Sequence, residues 1–411
     1  MGRLNERSGV TGMMIPIHGL WWLAAGSSAG YGARYMKASI GAALTARRRS
    51  RLSDPTGEFL RLQTLYGYNP YSLASIAPGA LVWSTPDIDG GIVYGEFGRV
   101  WLVAGDPLAS LANMPELARQ FAAFAKQRNR VVAFVAASAE FAALIIPDDF
   151  TVVKIGASPY FDLKTWNPRG GCAKKLRAGV NQARRAGVEV EMISENLDES
   201  LKKETAQLCM SWLGSRRSAT TFGWLMALDP FLHSECKKYF AARVNGKLVG
   251  FLAASPIPAR KAWYLEDVLR EVDAPQGTAT LLVVEALSKL KAEGVNLATL
   301  GTSPFANDGS NDLLGAEHRG TKRALRLASQ GLGAFYNFEG LRRFKGKFVP
   351  SWWESEYALG QGGTFMPPRV AYAIIRALAP RGVTQLLTRQ AVRMIRGSTP
   401  TVREGASIDI L

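Results

Sequence analysis

Residues 263–287 read WYLEDVLREVDAPQGTATLLVVEAL, and the order of elements in this stretch decides the fold. A strand-like run carries Asp267 and ends at Arg270, Asp273-Ala-Pro-Gln-Gly277 makes a turn, and Thr278 opens an apolar helix that runs to about residue 293. Gly277 at a helix start exposes backbone N–H groups, and the helix dipole adds a field that favours a phosphate or a carbonyl oxygen. Gln276, Gly277 and Thr278 are therefore candidates for a backbone loop that holds an oxyanion or a phosphate. An ordinary strand-to-helix turn uses a glycine in the same way, so the stretch leaves both readings open.

The pattern extends on both sides. Upstream, YFAARV (239–244) and KLVGFLAAS (247–255) are joined by Asn245-Gly246, a hairpin signal, and KAWYLEDVL (261–269) follows as a third strand. Downstream, VNLATLG (295–301) is a strand after the helix. The same order occurs earlier in the chain. ALVWS (80–84), GIVYGEF (91–97) and VWLVAG (100–105) read as a meander, followed by a helix from Pro115 to about Lys126 and the strand VVAFVAA (131–137). A short helix around Glu140–Leu144 and the strand TVVKIG (151–156) complete that half. The expectation is an α/β (α+β) protein with an N-terminal lobe at 55–165, and a linker helix with a second lobe at 166–360. A turn like that at Gly277 is how acyltransferases of the GNAT fold hold the pyrophosphate of coenzyme A. Here the pattern is degenerate, with Ala274 at the usual Arg or Gln position.

Composition narrows the classes. With 411 residues, 47% apolar and 20% charged, the chain is neither disordered, collagenous nor a disulfide scaffold. Three cysteines (Cys172, Cys209, Cys236) without a CxxC spacing and three histidines argue against a metal site. The thiols are expected to be inert in a reducing compartment. The formal charge is +16, and its distribution is uneven. No acid occurs from Arg7 to Ser53 or from Tyr357 to Arg403, and each tract carries seven basic residues around a nearly balanced middle. Basic ends suit an anionic membrane surface or nucleic acid. Val10–Ala33 is uncharged for 24 residues, long enough to cross a bilayer but rich in glycine, so residues 1–54 read as a spanning helix, an interfacial anchor using Trp21 and Trp22, or a loose tail. In the tail 361–411, Val370, Ile374 and Leu378 share one helical face and Val383, Leu387 and Met394 another. Such helices lie in a membrane interface or pack on the body.

Two further segments carry charge in a pattern. Within GCAKKLRAGVNQARRAGVEVEM (171–192), Lys174, Arg177, Asn181 and Arg184 form one helical stripe with Lys175 and Arg185 beside it, opposite Leu176, Val180 and Ala183. The stripe can follow a phosphate backbone or be a solvated face. In FYNFEGLRRFKGKFVPSWW (335–353), seven aromatics alternate with Arg342, Arg343, Lys345 and Lys347, a mixture that suits a single-stranded RNA end or a lipid headgroup zone.

Together these segments resemble the catalytic domain of bacterial phosphatidylglycerol lysyltransferases, the lysyl- and alanyl-phosphatidylglycerol synthases, from about Phe59 to Leu359. The resemblance rests on LYGYNPYSLA (65–74), GDPLAS (105–110), KKLRAGVNQARRAGV (174–188), SWLGSR (211–216), EDVLREVDAPQGT (266–278), NLATLGTSPFA (296–306) and YNFEGLRRFKGKFVPSW (336–352). It implies two tandem GNAT-like lobes and transfer of an amino acid, lysine or alanine-like, from aminoacyl-tRNA to a membrane lipid, with no cofactor. It also implies an active-site role for Asp267 and Arg270, which match an Asp-x-x-Arg pair, for Lys345 and Lys347 in a Lys-x-Lys-Phe segment, and for Glu339. The closing segment departs from the family's Trp-x-x-Arg-Tyr-Leu pattern, with Glu356 where arginine is common. The expected partners are aminoacyl-tRNA, held by Lys174, Lys175, Arg177, Arg184 and Arg185, and an anionic phospholipid membrane at the cytoplasmic face. The chemistry asks only for orientation and oxyanion stabilisation, since the donor ester is already activated. Other readings are a coenzyme A-dependent N-acyltransferase, an aminoacyl-tRNA transferase acting on a peptide or small molecule, and a membrane-bound RNA-binding protein without catalysis.

Overall fold

The structure is a computed structural model, and it describes residues 55–145, 150–193, 197–215, 228–304, 306, 338–362 and 366–378. The segment 1–54, with Val10–Ala33, and the second tail helix expected around Val383–Met394 lie outside the described residues. Among those described, no helix is long and apolar enough to cross a membrane.

The first half opens with helix α1 (Pro55–Tyr66) and a meander of β1 (Leu81–Thr85), β2 (Ile88–Phe97) and β3 (Val100–Ala104), with the short β4 (Leu108–Ala109) beside β2. Helix α2 (Met114–Gln127) then crosses the sheet and returns the chain as β5 (Val131–Ala137), parallel to β3. Proline in the first turn of α2 is preorganised for a helix start, and Leu117, Phe121 and Phe124 on its buried face pack against Trp83 and Trp101. Helix α3 (Ala139–Ile145) leads to β6 (Phe150–Asp162), much longer than the six residues its sequence suggests.

The second half repeats the order. Helix α4 (Lys174–Arg185), β7 (Glu189–Ile193) and α5 (Glu199–Ser215) precede the antiparallel β8 (Lys238–Val244), β9 (Lys247–Ile257) and β10 (Ala262–Arg270). Asn245 and Gly246 both adopt positive φ at the β8–β9 hairpin, as its two-residue turn requires. Helix α6 (Thr278–Ala292) then crosses to β11 (Leu297–Thr299), parallel to β10. β12 (Ser303–Pro304), α7 (Phe338–Gly346), β13 (Trp352–Gln361) and α8 (Pro368–Leu378) complete the described chain.

All the described strands belong to one sheet, whose central path runs β1-β2-β3-β5-β13-β6-β11-β10-β9-β8-β7. β13 is the seam. It enters between β5 and β6 and pairs with β6 along its whole length, so the end of the 166–360 segment completes the first half of the sheet. A division at residue 165 follows the order of elements but not the hydrogen bonds. Long-range strand pairing of this kind leaves no local trace in sequence.

The C-terminal helix also resolves an open alternative. Val370, Ala373 and Ala377 on α8 are buried against Val100, Leu102, Ala133 and Val135. The apolar face of α8 is spent on the sheet, while Arg369, Tyr372 and Arg376 face outward.

Candidate active site on strand β10

Alternation along β10 sets where its polar residues point. Leu269 joins the core under α5 and Val268 the core under α4 and α6. Asp267 therefore leaves the strand toward α5 and Arg270 toward the opposite face. The register shifts between Leu265 and Asp267, which places Glu266 in a bulge, a device that re-aims side chains beside functional sites. The Glu266 carboxylate is buried and ion-paired to Lys237 Nζ at 2.5 Å, and Ser255 Oγ donates to it at 3.3 Å.

Asp267 is different. Among the described residues its carboxylate accepts no hydrogen bond and forms no ion pair. Burial pushes it up to about 8; Glu266 and Asp229 add to the shift and Lys237 opposes it. Removing a carboxylate from water without supplying donors raises its pKa, and such groups concentrate at functional sites. Burial, with Asp267 nearby, also pushes the Cys209 thiol up to about 12, which makes it inert as a nucleophile. Among the described residues no cluster of His, Cys, Asp and Glu could hold a metal ion.

The other sequence candidates separate. The described hydrogen bonds and ion pairs join no two of Asp267, Arg270, Glu339, Lys345 and Lys347. Arg270 donates to the Glu271 carbonyl at 3.1 Å. Lys345, only 7% exposed, donates three hydrogen bonds of 2.7–2.9 Å to the carbonyls of Leu300, Gly301 and Thr302, holding the chain end that follows β11. Lys347 donates to Thr280 Oγ1 on α6 at 2.8 Å and lies over the Phe344 ring. Glu339 is a surface residue, 80% exposed and 3.7 Å from Arg343 one turn on. Phe344 and Phe348 belong to the core, so part of the described 338–353 segment builds the interior.

The Gly277 loop has a packing role. Gly277 sits at φ 93°, and a Cβ there would run into the Gly179 carbonyl of α4. Thr278 is buried, and Gln276 accepts a hydrogen bond from Gln182 at 2.8 Å. The glycine thus serves the α4–α6 contact, and α4 covers the turn that a phosphate would use. On α4, Leu176, Val180 and Ala183 are buried and all five basic candidates are exposed. Arg184 pairs with Glu285 at 2.7 Å and Arg177 donates to the Gly170 carbonyl at 2.8 Å. Lys174, Lys175 and Arg185 make no ion pair among the described residues.

A second polar cluster lies at the seam. Glu356, 6% exposed, accepts hydrogen bonds from Ser158 Oγ and Thr302 Oγ1, and Thr302 in turn meets the Tyr71 hydroxyl through both its backbone N–H and its side chain. Burial pushes Glu356 up to about 7 and Lys345 down to about 7, each partly restored by the other. Sequence reasoning marked Glu356 only as a departure and missed Glu266 and Lys237. Adjacent acids on a strand whose neighbours are apolar were the available signal.

Two halves of the same strand–helix order fused through one sheet, with a half-buried carboxylate on β10 of the second half, make a tandem GNAT-like fold. The chain belongs to the family described as "Phosphatidylglycerol lysyltransferase, C-terminal", whose profile matches residues 66–360. It is 24% identical over 262 residues to a phosphatidylglycerol lysyltransferase of Bacillus subtilis, covering 64% of this chain and 30% of that protein. It is 26% identical over 258 residues to the MprF-like domain protein Rv1619 of Mycobacterium tuberculosis, covering 60% of this chain and 52% of that one. The solved L-PGS of Bacillus licheniformis shares the fold at TM-score 0.65 and 20% identity, over 82% of this chain and 97% of that one. The chain thus spans between about a quarter and a half of the curated relatives it matches.

Proposed function

We propose that this chain transfers an amino acid from an aminoacyl-tRNA to a glycerol hydroxyl of phosphatidylglycerol. The observation that carries the reading is Asp267, a carboxylate on β10 that burial holds up to about 8 and that no donor in the described structure satisfies. In the reaction, a lipid hydroxyl attacks the carbonyl carbon of the aminoacyl ester and passes its proton to ionised Asp267. The tetrahedral intermediate then collapses, the ester C–O bond breaks, and the tRNA terminal hydroxyl leaves with that proton. Asp267 is regenerated and no cofactor takes part. Transfer independent of coenzyme A is supported by α4, whose backbone covers the Gly277 turn.

The exposed Lys174, Lys175 and Arg185 are the surface for the tRNA backbone, with Arg177 and Arg184 released from weak surface contacts to join them. The basic tracts at both ends hold the body against an anionic leaflet at the cytoplasmic face, where each cation near the surface contributes roughly 1 kcal/mol. The test is the purified full chain with charged tRNAs and phosphatidylglycerol vesicles, followed by mass spectrometry of the extracted lipids. An aminoacylated lipid that disappears on RNase treatment and is not formed from coenzyme A thioesters is expected. Product that survives RNase, or none from any charged tRNA, contradicts the reading.

A further inference from the structure

The ion pair between Glu266 and Lys237 is a poor stabilising element. Both side chains are withdrawn from water, Glu266 to 8% exposure and Lys237 to 2%, with their charged atoms 2.5 Å apart. Taking two charges out of water costs about as much as their attraction returns, so such a pair adds little over apolar side chains of the same size. Its place in the fold is what distinguishes it. Glu266 is the bulged residue of β10 and the chain neighbour of Asp267, and Ser255 Oγ on β9 donates to it at 3.3 Å. Lys237 comes from the segment that precedes β8. Lys237 Nζ and the Tyr239 hydroxyl donate to the Pro230 carbonyl at 3.3 and 3.1 Å, and His233 Nε2 lies 2.6 Å from the Ile76 carbonyl of the first half. Lys237 therefore reaches Glu266 from a segment tied at both Pro230 and His233.

Few charges act on Asp267. Among the described residues it feels Cys209 from α5, Tyr239 from β8, Tyr264 from its own strand, and Asp229 and Lys237 from the segment before β8. Its register partner on β9 is Ala253, which carries no charge. Burial keeps the thiol and both phenols neutral through the range in which Asp267 titrates. Glu266, Lys237 and Asp229 remain. Glu266 opposes a second negative charge beside it, and Lys237 favours one.

We infer that Glu266 and Lys237 are positioning residues for Asp267: the pair pins the bulge that turns Asp267 toward α5 and supplies the field in which that carboxylate gains and loses its proton. The inference rests on the transfer reaction proposed above, in which Asp267 takes the proton of the lipid hydroxyl. The ionisation it describes is measurable without tRNA or lipid.

The experiment is a pH titration of the full chain labelled with ¹³C at the aspartate carboxyl carbons, the Asp267 resonance being the one absent from Asp267→Asn. Its midpoint should fall by about one pH unit or more in Glu266→Gln, which removes the like charge and leaves Lys237 facing Asp267. The double variant Lys237→Met with Glu266→Gln leaves no buried charge without its partner, so it is expected to fold even if the single variant does not. Its midpoint should lie below the parent's by about half a unit, because Glu266 acts more strongly on Asp267 than Lys237 does. The rising limb of the transfer rate should move down with the midpoint. A midpoint unmoved or raised in the double variant, or in Glu266→Gln, overturns the inference, as does a limb that stays while the midpoint moves. If the midpoints fall as expected while no charged tRNA yields an aminoacylated lipid, the pair's hold on Asp267 stands and the proposed reaction falls.

Discussion

Two carboxylates in the same sheet, one buried and one half-buried, contrast sharply. Glu356 at the seam is surrounded by donors: Ser158 and Thr302 bond it and Lys345 supplies charge nearby. Asp267 on β10 is half-buried beside like charges and receives no hydrogen bond among the described residues. A satisfied buried polar network fixes geometry, whereas carboxylates with strongly raised pKa concentrate at functional sites. On this comparison Glu356 and Lys345 hold the seam together, and Asp267 is the carboxylate proposed to work on substrate.

The largest expected effect separates these roles at Asp267. Asp267→Asn is expected to lower the transfer rate by about 10²–10⁴-fold, the usual worth of a positioned general base, while folding normally. Thermal stability should move the opposite way. The group titrates near 8 when folded and at about 3.9 when unfolded, so the folded state holds its proton longer and loses relative stability as pH rises from about 4 to 8. The asparagine variant should therefore melt above the parent at pH 8 and close to it at pH 4. Calorimetric scans at the two pH values check this.

At the seam the losses should appear in stability. Lys345→Met strips three carbonyls of their donor and leaves Glu356 without its buried counter-charge, a change that typically costs about 3–5 kcal/mol. Denaturant titration should show that loss, with turnover per folded molecule changed less than tenfold. A full-strength fold with abolished turnover would move Lys345 into the chemistry and erase the distinction between the clusters.

A smaller effect is expected on α4. Replacing Lys174, Lys175 and Arg185 together by glutamine should lower the slope of log affinity for tRNA against log salt by about 0.7–0.9 for each phosphate that is no longer neutralised. An unchanged slope would make the stripe a solvated face. The smallest effect belongs to Glu339→Ala: an exposed pair of this kind contributes about 0–1 kcal/mol, so melting temperature and turnover should both stay near the parent values.

Much of the fold was legible in sequence because it is written locally. The Asn245-Gly246 hairpin, the periodicity of α2 and the α6 start after Gly277 each follow from a few consecutive residues. The insertion of β13 beside β6 was not legible, since its partner lies about 200 residues away. The candidate site was legible in identity more than in arrangement. Asp267 and Arg270 are paired by the resemblance to a family motif, yet strand alternation sends them to opposite faces. Gly277 was marked as a ligand loop because a helix start and a close helix crossing make the same demand for glycine. In sequence Lys345 reads as a substrate-facing, active-site cation, whereas the carbonyls of residues 300–302 give it a buried place.

The most direct test of the contrast is the pH dependence of single-turnover transfer from aminoacyl-tRNA to phosphatidylglycerol vesicles, corrected for spontaneous ester hydrolysis. The rate should rise with pH through about 8 as Asp267 ionises, and that limb should stay in place in Glu356→Gln. A rate that is flat between about pH 6 and 9, or a limb that moves with Glu356→Gln, would show that the working carboxylate is not Asp267.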